Sequence, residues 1–392
     1  MKKTGFGPGI FVAAGAALIA NPAFSQSSVT LYGAVDDAIT YVNNQNGHSN
    51  VYLRQGNVYA SKFGLLGKED LGGGTYAIFD LQNGFDPNSG ALQSSGLLFN
   101  RQAYVGLKND QAGQATMGRQ YTPYYQFVGP LTGSNWLTGA TGAHPGDIDG
   151  LDTTVRINNS AIYTSPVWYG LQASAMYAFG GIAGSTGKGQ TWSAALRYNN
   201  GPLSVAAAIL RMDNAALTSG FDTSSTASFG KSSLNTGYVS ARAVQHVAVA
   251  ANYSIGNVLL GASYSNVEYL PGGKSLFANT AVFNTWAALA TYRFTPSFDV
   301  GGGLAYTLAS KANGITSAAR YEQVSLKETY HLSKRTSLYA LQGYQHASGQ
   351  TLGANGAGNI VNATPAVGDS QNSTPSSTHS QFVGMAGIAL LF

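Results

Sequence analysis

The chain has no cysteine, few charged residues and no long apolar run after its first 25 residues. Without cysteine, no disulfide framework can hold the fold in an oxidising compartment. Without an apolar run of about 20 residues, a membrane-spanning helix is excluded. The formal net charge is +4, and removing Lys2 and Lys3 with a predicted leader leaves +2. This charge is too small, and too scattered, to indicate a nucleic-acid partner.

The start of the chain has the pattern of a signal peptide. Lys2 and Lys3 provide a positive start. Residues 10–20 form an alanine-rich apolar core, and a cleavage site follows. The alternative, a membrane helix, needs about twice that apolar length. We therefore expect residues 1–25 to be a signal peptide and residues 26–392 to form one domain, because no linker or composition shift divides them.

The rest of the chain is rich in glycine and tyrosine, and its apolar residues alternate with polar ones. In residues 298–308 the even positions read Phe, Val, Gly, Leu, Tyr, Leu, and the odd positions read Asp, Gly, Gly, Ala, Thr. Alternation with period two puts one set of side chains on each face of a strand. One face is lipid-like and the other water-like. Only a closed barrel can present both in a bilayer with every backbone group paired.

The connections between these stretches alternate in length. Short turns such as 71–74 and 199–202 are followed by long polar connections such as 122–154, 214–240 and 348–378. Short turns on one side and long loops on the other are typical of outer-membrane barrels. Counting the stretches predicts an all-β fold, a 16-stranded antiparallel transmembrane β-barrel. A barrel of roughly 16–18 strands leaves an aqueous channel along its axis.

A series of short motifs covers essentially the whole predicted mature chain. The motifs are VTLYG at 29–33, SKFGLLGKEDLGGG at 61–74, NRQAYVGLK at 100–108, MGRQYTP at 117–123, NNSAIYTSP at 158–166, YHLSKRTSLYALQGY at 330–344 and the terminal Phe392. In this order and spacing they resemble the Gram-negative trimeric general-diffusion porins of the sixteen-stranded type. No single motif is specific, but the combination is.

This resemblance implies a homotrimer in outer-membrane lipid, with the third long loop, residues 122–154, folded inward to narrow the barrel. It also implies a wall of basic side chains facing acidic side chains on that loop. By position, the basic candidates are Lys62, Arg101, Arg156 and Arg119, and the acidic candidates are Asp147, Asp149 and Asp152. Lys62 departs from the arginine usual at its place, and so keeps the charge without the planar guanidinium. Opposed charges across a narrow waist focus a transverse field.

A constriction role is not the only use of these charges. The basic residues could be ordinary lumen-facing strand residues, because Arg or Lys facing lipid near the midplane costs about 2–4 kcal/mol. The acids could form a solvated loop or a calcium-binding knot. Their segment lacks the closing glutamate of an EF-hand, since that position falls on Asn158. We therefore expect no metal and no other cofactor.

Three polar residues fall at positions where the alternation predicts an apolar, outward-facing side chain. By parity, Asp37, Gln102 and Glu328 point outward. A neighbouring subunit covering the early strands would account for the first two. Glu328 is expected on the lipid face near a rim, where the cost of a charge falls toward zero. The last strand is apolar on both parities from residue 382 to 391, so the pattern does not define its register.

The sequence gives no sign of an enzyme, because none of the six histidines lies in a catalytic or metal-binding motif. The leading interpretation is a water-filled pore for passive diffusion of ions and small hydrophilic solutes across the outer membrane of a Gram-negative bacterium. The preference between anions and cations stays open. One alternative is a substrate-selective channel, and the other is a non-channel adhesin or a barrel enzyme.

A sugar track would be the mark of a substrate-selective channel. Aromatic residues at or near the inward loop could form one; they are Tyr121, Tyr124, Tyr125, Phe127 and Trp136. Packing of the loop against the barrel wall is the commoner use of such side chains.

Overall fold

The computed structural model describes residues 27–152, 155–214, 234–369 and 375–392. The predicted signal peptide, residues 1–25, lies outside the described residues. The strands are β1 Ser28–Gln45, β2 His48–Gln55, β3 Lys62–Gly72, β4 Thr75–Gly84, β5 Gln102–Asn109, β6 Gly113–Tyr121, β7 Arg156–Thr164, β8 Leu171–Ala178, β9 Thr191–Asn200, β10 Leu203–Asp213, β11 Ala243–Ile255, β12 Val258–Leu270, β13 Ala281–Thr295, β14 Phe298–Ala309, β15 Arg320–His331, β16 Thr336–Ser348, β17 Gln350–Gly353, β18 Gly356–Asn362 and β19 Ser380–Leu391. Helical segments are α1 Pro123–Val128 and the short turns Gly129–Leu131, Ser134–Thr138, Pro145–Asp147 and Thr236–Tyr238.

The strands close into one antiparallel barrel. Seventeen of the described strands share a sheet, and β17 and β18 form a separate hairpin. Because β2 pairs with the second half of β1 and β3 with the first half, these two strands occupy one position in the ring. The ring closes between β1 and β19, where Ala34 pairs with Leu391. The barrel therefore has 16 positions, which confirms the predicted fold class.

No helix among the described residues is long and apolar enough to cross a membrane.

Aromatic side chains lie at two heights on the outside of strands β12 to β14. Trp286 on β13 packs against Tyr264 and Tyr306 on the neighbouring strands, with ring centroids 5.6 and 6.2 Å apart. Further along β13, Phe294 packs edge-on against Tyr292, with centroids 4.6 Å apart. Eight residues span about 27 Å along the strand, which corresponds to about 20 Å of height at a strand tilt of about 40°. This separation is of the order expected for aromatic girdles that flank an apolar band about 25 Å tall.

The register places Gln102 inside the barrel, so the outward parity expected for it was wrong. Gln102 pairs with Gln82 on β4, and its amide Nε2 donates to Asp80 Oδ2 at 2.8 Å. The opposite parity of β5 carries Val105 and Leu107, which are more than half exposed on the outer surface. Gln102 therefore contributes to the polar face of the lumen, and no contact with a neighbouring subunit is needed to explain its polarity.

The two remaining polar residues do point outward. Asp37 shares its parity on β1 with the exposed Ile39, and its Oδ1 accepts from Asn88 Nδ2 at 3.2 Å. Glu328 pairs with Ala340, and its Oε2 accepts from Gln342 Nε2 at 3.2 Å. A hydrogen bond of this kind lowers the cost of a carboxylate on the outer face.

Pairing partners fix the register that the sequence left open in β19. Met385 pairs with the buried Leu341, and both point inward. Ile388 and Leu390 are exposed on the outer surface. One face of this strand is therefore apolar because it meets lipid, and the other because it packs inside the barrel.

Candidate functional site

A long loop enters the barrel after β6, and we call its described part, residues 123–152, the inward loop. It starts with α1, where Thr122 Oγ1 accepts from the backbone N–H of Tyr125 at 3.2 Å and caps the helix. The backbone N–H of Tyr124 donates to Ser193 Oγ on β9 at 3.1 Å. Tyr124 and Phe127 are buried in an apolar cluster with inward side chains of β8 to β12. The base of the loop is therefore fixed to one side of the wall.

The far part of the inward loop is fixed to the opposite wall. Gln323 Nε2 on β15 donates to the carbonyl oxygens of Thr141 and Ala143, both at 2.8 Å. Leu137 is buried against β14, at positions where that strand has Gly301 and Gly303. A Cβ on Gly303 would collide with the Leu137 side chain. These glycines thus leave the space that lets the loop lie flat on the wall.

A buried, hydrogen-bonded pair of side chains fixes the middle of the inward loop. His144 Nδ1 lies 2.6 Å from Asp149 Oδ2, and Ser265 Oγ on β12 donates to the same carboxylate. Burial alone raises the pKa of Asp149, but the charge of His144 and the hydrogen bonds from His144 and Ser265 outweigh it and hold the pKa below its usual value. Asp149 therefore faces the wall.

Three of the four basic candidates gather around one tyrosine. The Arg156 guanidinium lies 5.3 Å from the ring centroid of Tyr121, and the Arg101 guanidinium lies 6.0 Å from it on the same ring. Lys62, half-buried at the start of β3, lies within electrostatic range of both arginines. The faces of aromatic rings attract cations, so Tyr121 offsets part of the repulsion between these like charges.

Glutamine side chains hold Arg101 in place. Its Nε donates to Gln82 Oε1 and its Nη1 to Gln93 Oε1, both at 3.1 Å. Arg101 precedes β5, and its stem runs along Gly84 of β4. A guanidinium held by neutral acceptors keeps its full charge available to the lumen.

Arg119 does not join this group. Its Nε donates to the carbonyl oxygen of Asn100 at 2.7 Å, and its Nη1 donates to Asn158 Oδ1 at 2.5 Å. It shares the parity of Met117, which is 65% exposed on the outer surface. The two hydrogen bonds connect the segments that precede β5 and begin β7.

The three candidate acids of the inward loop point in different directions. Asp147 is buried, and its Oδ1 accepts from the backbone N–H of Asp152 at 3.0 Å, so it braces the turn that follows. Asp149 faces the wall, as described above. Asp152 lies against the backbone of Gly139 and reaches the lumen. Of these acids, Asp152 is the one in electrostatic range of Arg101.

A cavity of about 340 Å³ separates the inward loop from the basic wall, and we call it the waist cavity. Its charged lining residues are Lys62, Arg101, Lys327, Asp152 and Asp369. Lys327 lies on β15 and has the same parity as the buried, inward-pointing Gln323 and Ser325. Asp369 had no signal in the sequence, because it lies in a long polar loop far along the chain.

The five aromatic residues considered for a sugar track divide into two groups. Tyr124 and Phe127 are buried between α1 and the wall, and Tyr121 lies under the arginines. Only Tyr125 and Trp136 of these five line the waist cavity. Two rings, with three others used in packing, do not form a continuous track for a sugar.

Comparison with known proteins agrees with this architecture. The profile of the Gram-negative porin family matches residues 12–350. An outer membrane porin protein of Bordetella pertussis is 32% identical over 232 residues, which is 53% of this chain and 58% of the relative. The chain thus aligns with under two thirds of that relative's length.

Solved structures share the fold over nearly the whole chain. An anion-selective porin from Comamonas acidovorans superposes with a TM-score of 0.70 at 24% identity, covering 94% of this chain and 100% of the other. The trimer form of OmpT from Vibrio cholerae superposes with a TM-score of 0.61 at 15% identity, covering 93% and 99%.

The chain belongs to the family of Gram-negative porins. It is a protein of the outer membrane of a Gram-negative bacterium, as the sequence predicted. Porins are channels and not enzymes, which agrees with the expectation of no catalytic site and does not favour an adhesin or a barrel enzyme.

Proposed function

We propose that the chain forms a water-filled pore through which ions and small hydrophilic solutes diffuse passively, and that the waist cavity is its constriction. The observation that carries this proposal is the set of opposed charges around that cavity. Lys62 and Arg101 line the wall, and Asp152 lines the inward loop. Opposed charges across a narrow, water-filled gap orient water and polar solutes, and they penalise apolar ones.

The balance of charge supports a preference for anions. The waist cavity is lined by three basic side chains and two carboxylates, those of Asp152 and Asp369. Arg156, which packs on the Tyr121 ring, adds a further positive charge near the basic wall. A net positive waist lowers the electrostatic barrier for anions and raises it for cations. The structural similarity to a porin whose name describes it as anion-selective is in keeping with this preference.

Passive diffusion is tested by swelling of liposomes that contain the purified protein. Neutral sugars of increasing size should enter at rates that fall steeply with size and rise linearly with concentration. Saturation at micromolar concentrations of one sugar would instead identify a substrate-selective channel. Liposomes that do not swell with any solute would contradict the proposal.

The working form of the pore is a homotrimer embedded in outer-membrane lipid. Family membership and the solved trimer of similar fold support this assembly. An outward carboxylate such as Asp37 also suits contact with a neighbouring protein better than contact with lipid. Chemical crosslinking in mild detergent should give a ladder that ends at three chains. A ladder that ends at one chain would refute the trimer and leave the channel itself untouched.

A further inference from the structure

A second segment of the chain also folds into the barrel. Residues 363–369 follow β18, and we call them the second inward segment. The backbone N–H of Ala366 donates to Gln345 Oε1 at 2.7 Å, and that of Val367 donates to Gln381 Oε1 at 2.8 Å. Both glutamines are buried and point into the lumen from β16 and β19. Two inward side chains of the wall thus bind this segment through its backbone.

The second inward segment also meets the inward loop. The backbone N–H of Asp369 donates to the carbonyl oxygen of Gly139 at 3.1 Å. Gly368, at φ +103°, lies against the backbone of Ala140, where a Cβ would not fit easily. A left-handed backbone at this close approach favours glycine. The two segments therefore form a continuous inner rim.

A chain of glutamine hydrogen bonds links the anchors of the two segments. Gln345 Nε2 donates to Gln323 Oε1 at 2.7 Å, and Gln323 Nε2 donates to the carbonyl oxygen of Thr141 at 2.8 Å. One side-chain network thus holds the inward loop and the second inward segment. Buried networks in which the members satisfy one another keep a single geometry.

We propose that both segments build the constriction, and that Asp369 is a second acidic residue that determines ion selectivity beside Asp152. Both carboxylates line the same cavity as Lys62 and Arg101. The second carboxylate extends the acidic side of the transverse field beyond the inward loop and moderates the anion preference. This inference rests on the proposed function, since it concerns the selectivity of the same pore.

Substitutions of equal charge change separate this role from a general effect of charge. Asp369→Asn and Asp152→Asn each remove one carboxylate from the cavity, whereas Asp110→Asn removes an exposed one in a short turn. Because the contact with Gly139 uses the backbone of Asp369, Asp369→Asn keeps the anchor. In planar bilayers at low salt, each cavity variant should raise the chloride-to-potassium permeability ratio roughly twofold or more. Asp110→Asn and Asp369→Glu should leave this ratio unchanged.

The absence of native cysteine allows a second test within a single pore. In Asp369→Cys, a cationic methanethiosulfonate reagent added after insertion should raise the permeability ratio, and an anionic one should restore it toward the wild-type value. An Asp369→Asn ratio equal to that of Asp110→Asn, with no response of the cysteine variant to either reagent, would overturn the inference. Wild-type protein that carries no current would instead refute the proposed function.

Discussion

His144 and Asp149 form a buried pair within the inward loop, with Nδ1 of the histidine 2.6 Å from Oδ2 of the aspartate. The same carboxylate accepts from Ser265 on the barrel wall. An acid expected to face the pore thus fixes the loop that bears the pore-lining acid Asp152. Under the proposed function, Asp152 contributes to the selectivity of the constriction, whereas Asp149 holds the inward loop in position.

Asp149→Asn should loosen the inward loop, because it removes the charge of a buried carboxylate that contacts His144 and accepts from Ser265, and a hydrogen bond to a charged group contributes about 1.5–3 kcal/mol. We expect frequent closures of the pore at pH 7, counted in single-channel recordings. The matched control is Asp299→Asn, which removes the acid from a more exposed pair whose His331 Nε2 lies 2.7 Å away at the barrel rim. Equal closure frequencies in the two variants would contradict the anchoring role.

Acid should have the same effect on the wild-type protein. The pKa of Asp149 is depressed in the folded state, because the charge and hydrogen bond of His144 outweigh burial. Its contribution to stability is therefore fully present above the unfolded pKa of about 3.9 and is lost as pH falls through the lower folded value. Closures should stay rare down to about pH 4 and increase below it. An increase that begins near pH 6 would point to a different group.

The glycines of β14 provide a steric test of the inward loop's position. Gly303→Val places a side chain where Leu137 lies, so the loop must lift from the wall. We expect an altered and noisier single-channel conductance, with a loss of stability of about 2–5 kcal/mol for the displaced leucine. Gly302→Ala on the same strand is the control, since its Cβ meets nothing closer than 3.8 Å. Identical conductance in both variants would contradict the described contact.

The basic wall should determine ion preference, and Arg119 should not contribute to it. A unit charge about 8 Å from an ion in water changes its energy by about 0.5 kcal/mol, which is roughly twofold for each ion and roughly fivefold for their ratio. Arg101→Gln should lower the chloride-to-potassium permeability ratio by this order at low salt. Arg119→Gln should leave the ratio unchanged, because Arg119 bonds to Asn100 and Asn158 away from the cavity. A larger effect of Arg119→Gln would reverse the assignment.

A buried tyrosine stabilises the interruption between β2 and β3. Tyr339 Oη donates to Asp36 Oδ1, and the other oxygen of Asp36 accepts from the backbone N–H groups of Val58 and Tyr59. Tyr339→Phe leaves a buried carboxylate short of a donor, at a cost of about 1–3 kcal/mol. Guanidinium unfolding followed by tryptophan fluorescence should show this loss. Tyr330→Phe, on the outer surface, should show none, and an equal loss there would contradict the account.

The barrel could be predicted because each face of its strands meets a different solvent, and a period of two records that difference along the chain. The prediction for Gln102 failed where this alternation breaks. Arg101 points into the lumen but lies just before β5, where the backbone is irregular. Counting the alternation onward from Arg101 therefore assigns the residues of β5 to the wrong faces. Local irregularities of this kind leave no periodic trace in a sequence.

The roles of the individual site residues were harder to predict from the sequence, because they too depend on local irregularities of the backbone. Which acid of the inward loop reaches the lumen depends on turns with positive φ at Asp147 and Gly150, and not on sequence order. Asp369 is held at the waist cavity by contacts of its segment with β16, β19 and the inward loop. These partners are separated from the segment along the chain, and no sequence pattern predicts the contacts. Such long-range placement depends on tertiary packing.

Planar-bilayer recording of the purified wild-type protein in a potassium chloride gradient tests the central claim most directly. We predict discrete current steps and a reversal potential displaced toward the chloride equilibrium potential, because basic side chains outnumber acidic ones around the waist cavity. A bilayer that carries no current, or a reversal potential displaced toward that of potassium, would contradict it.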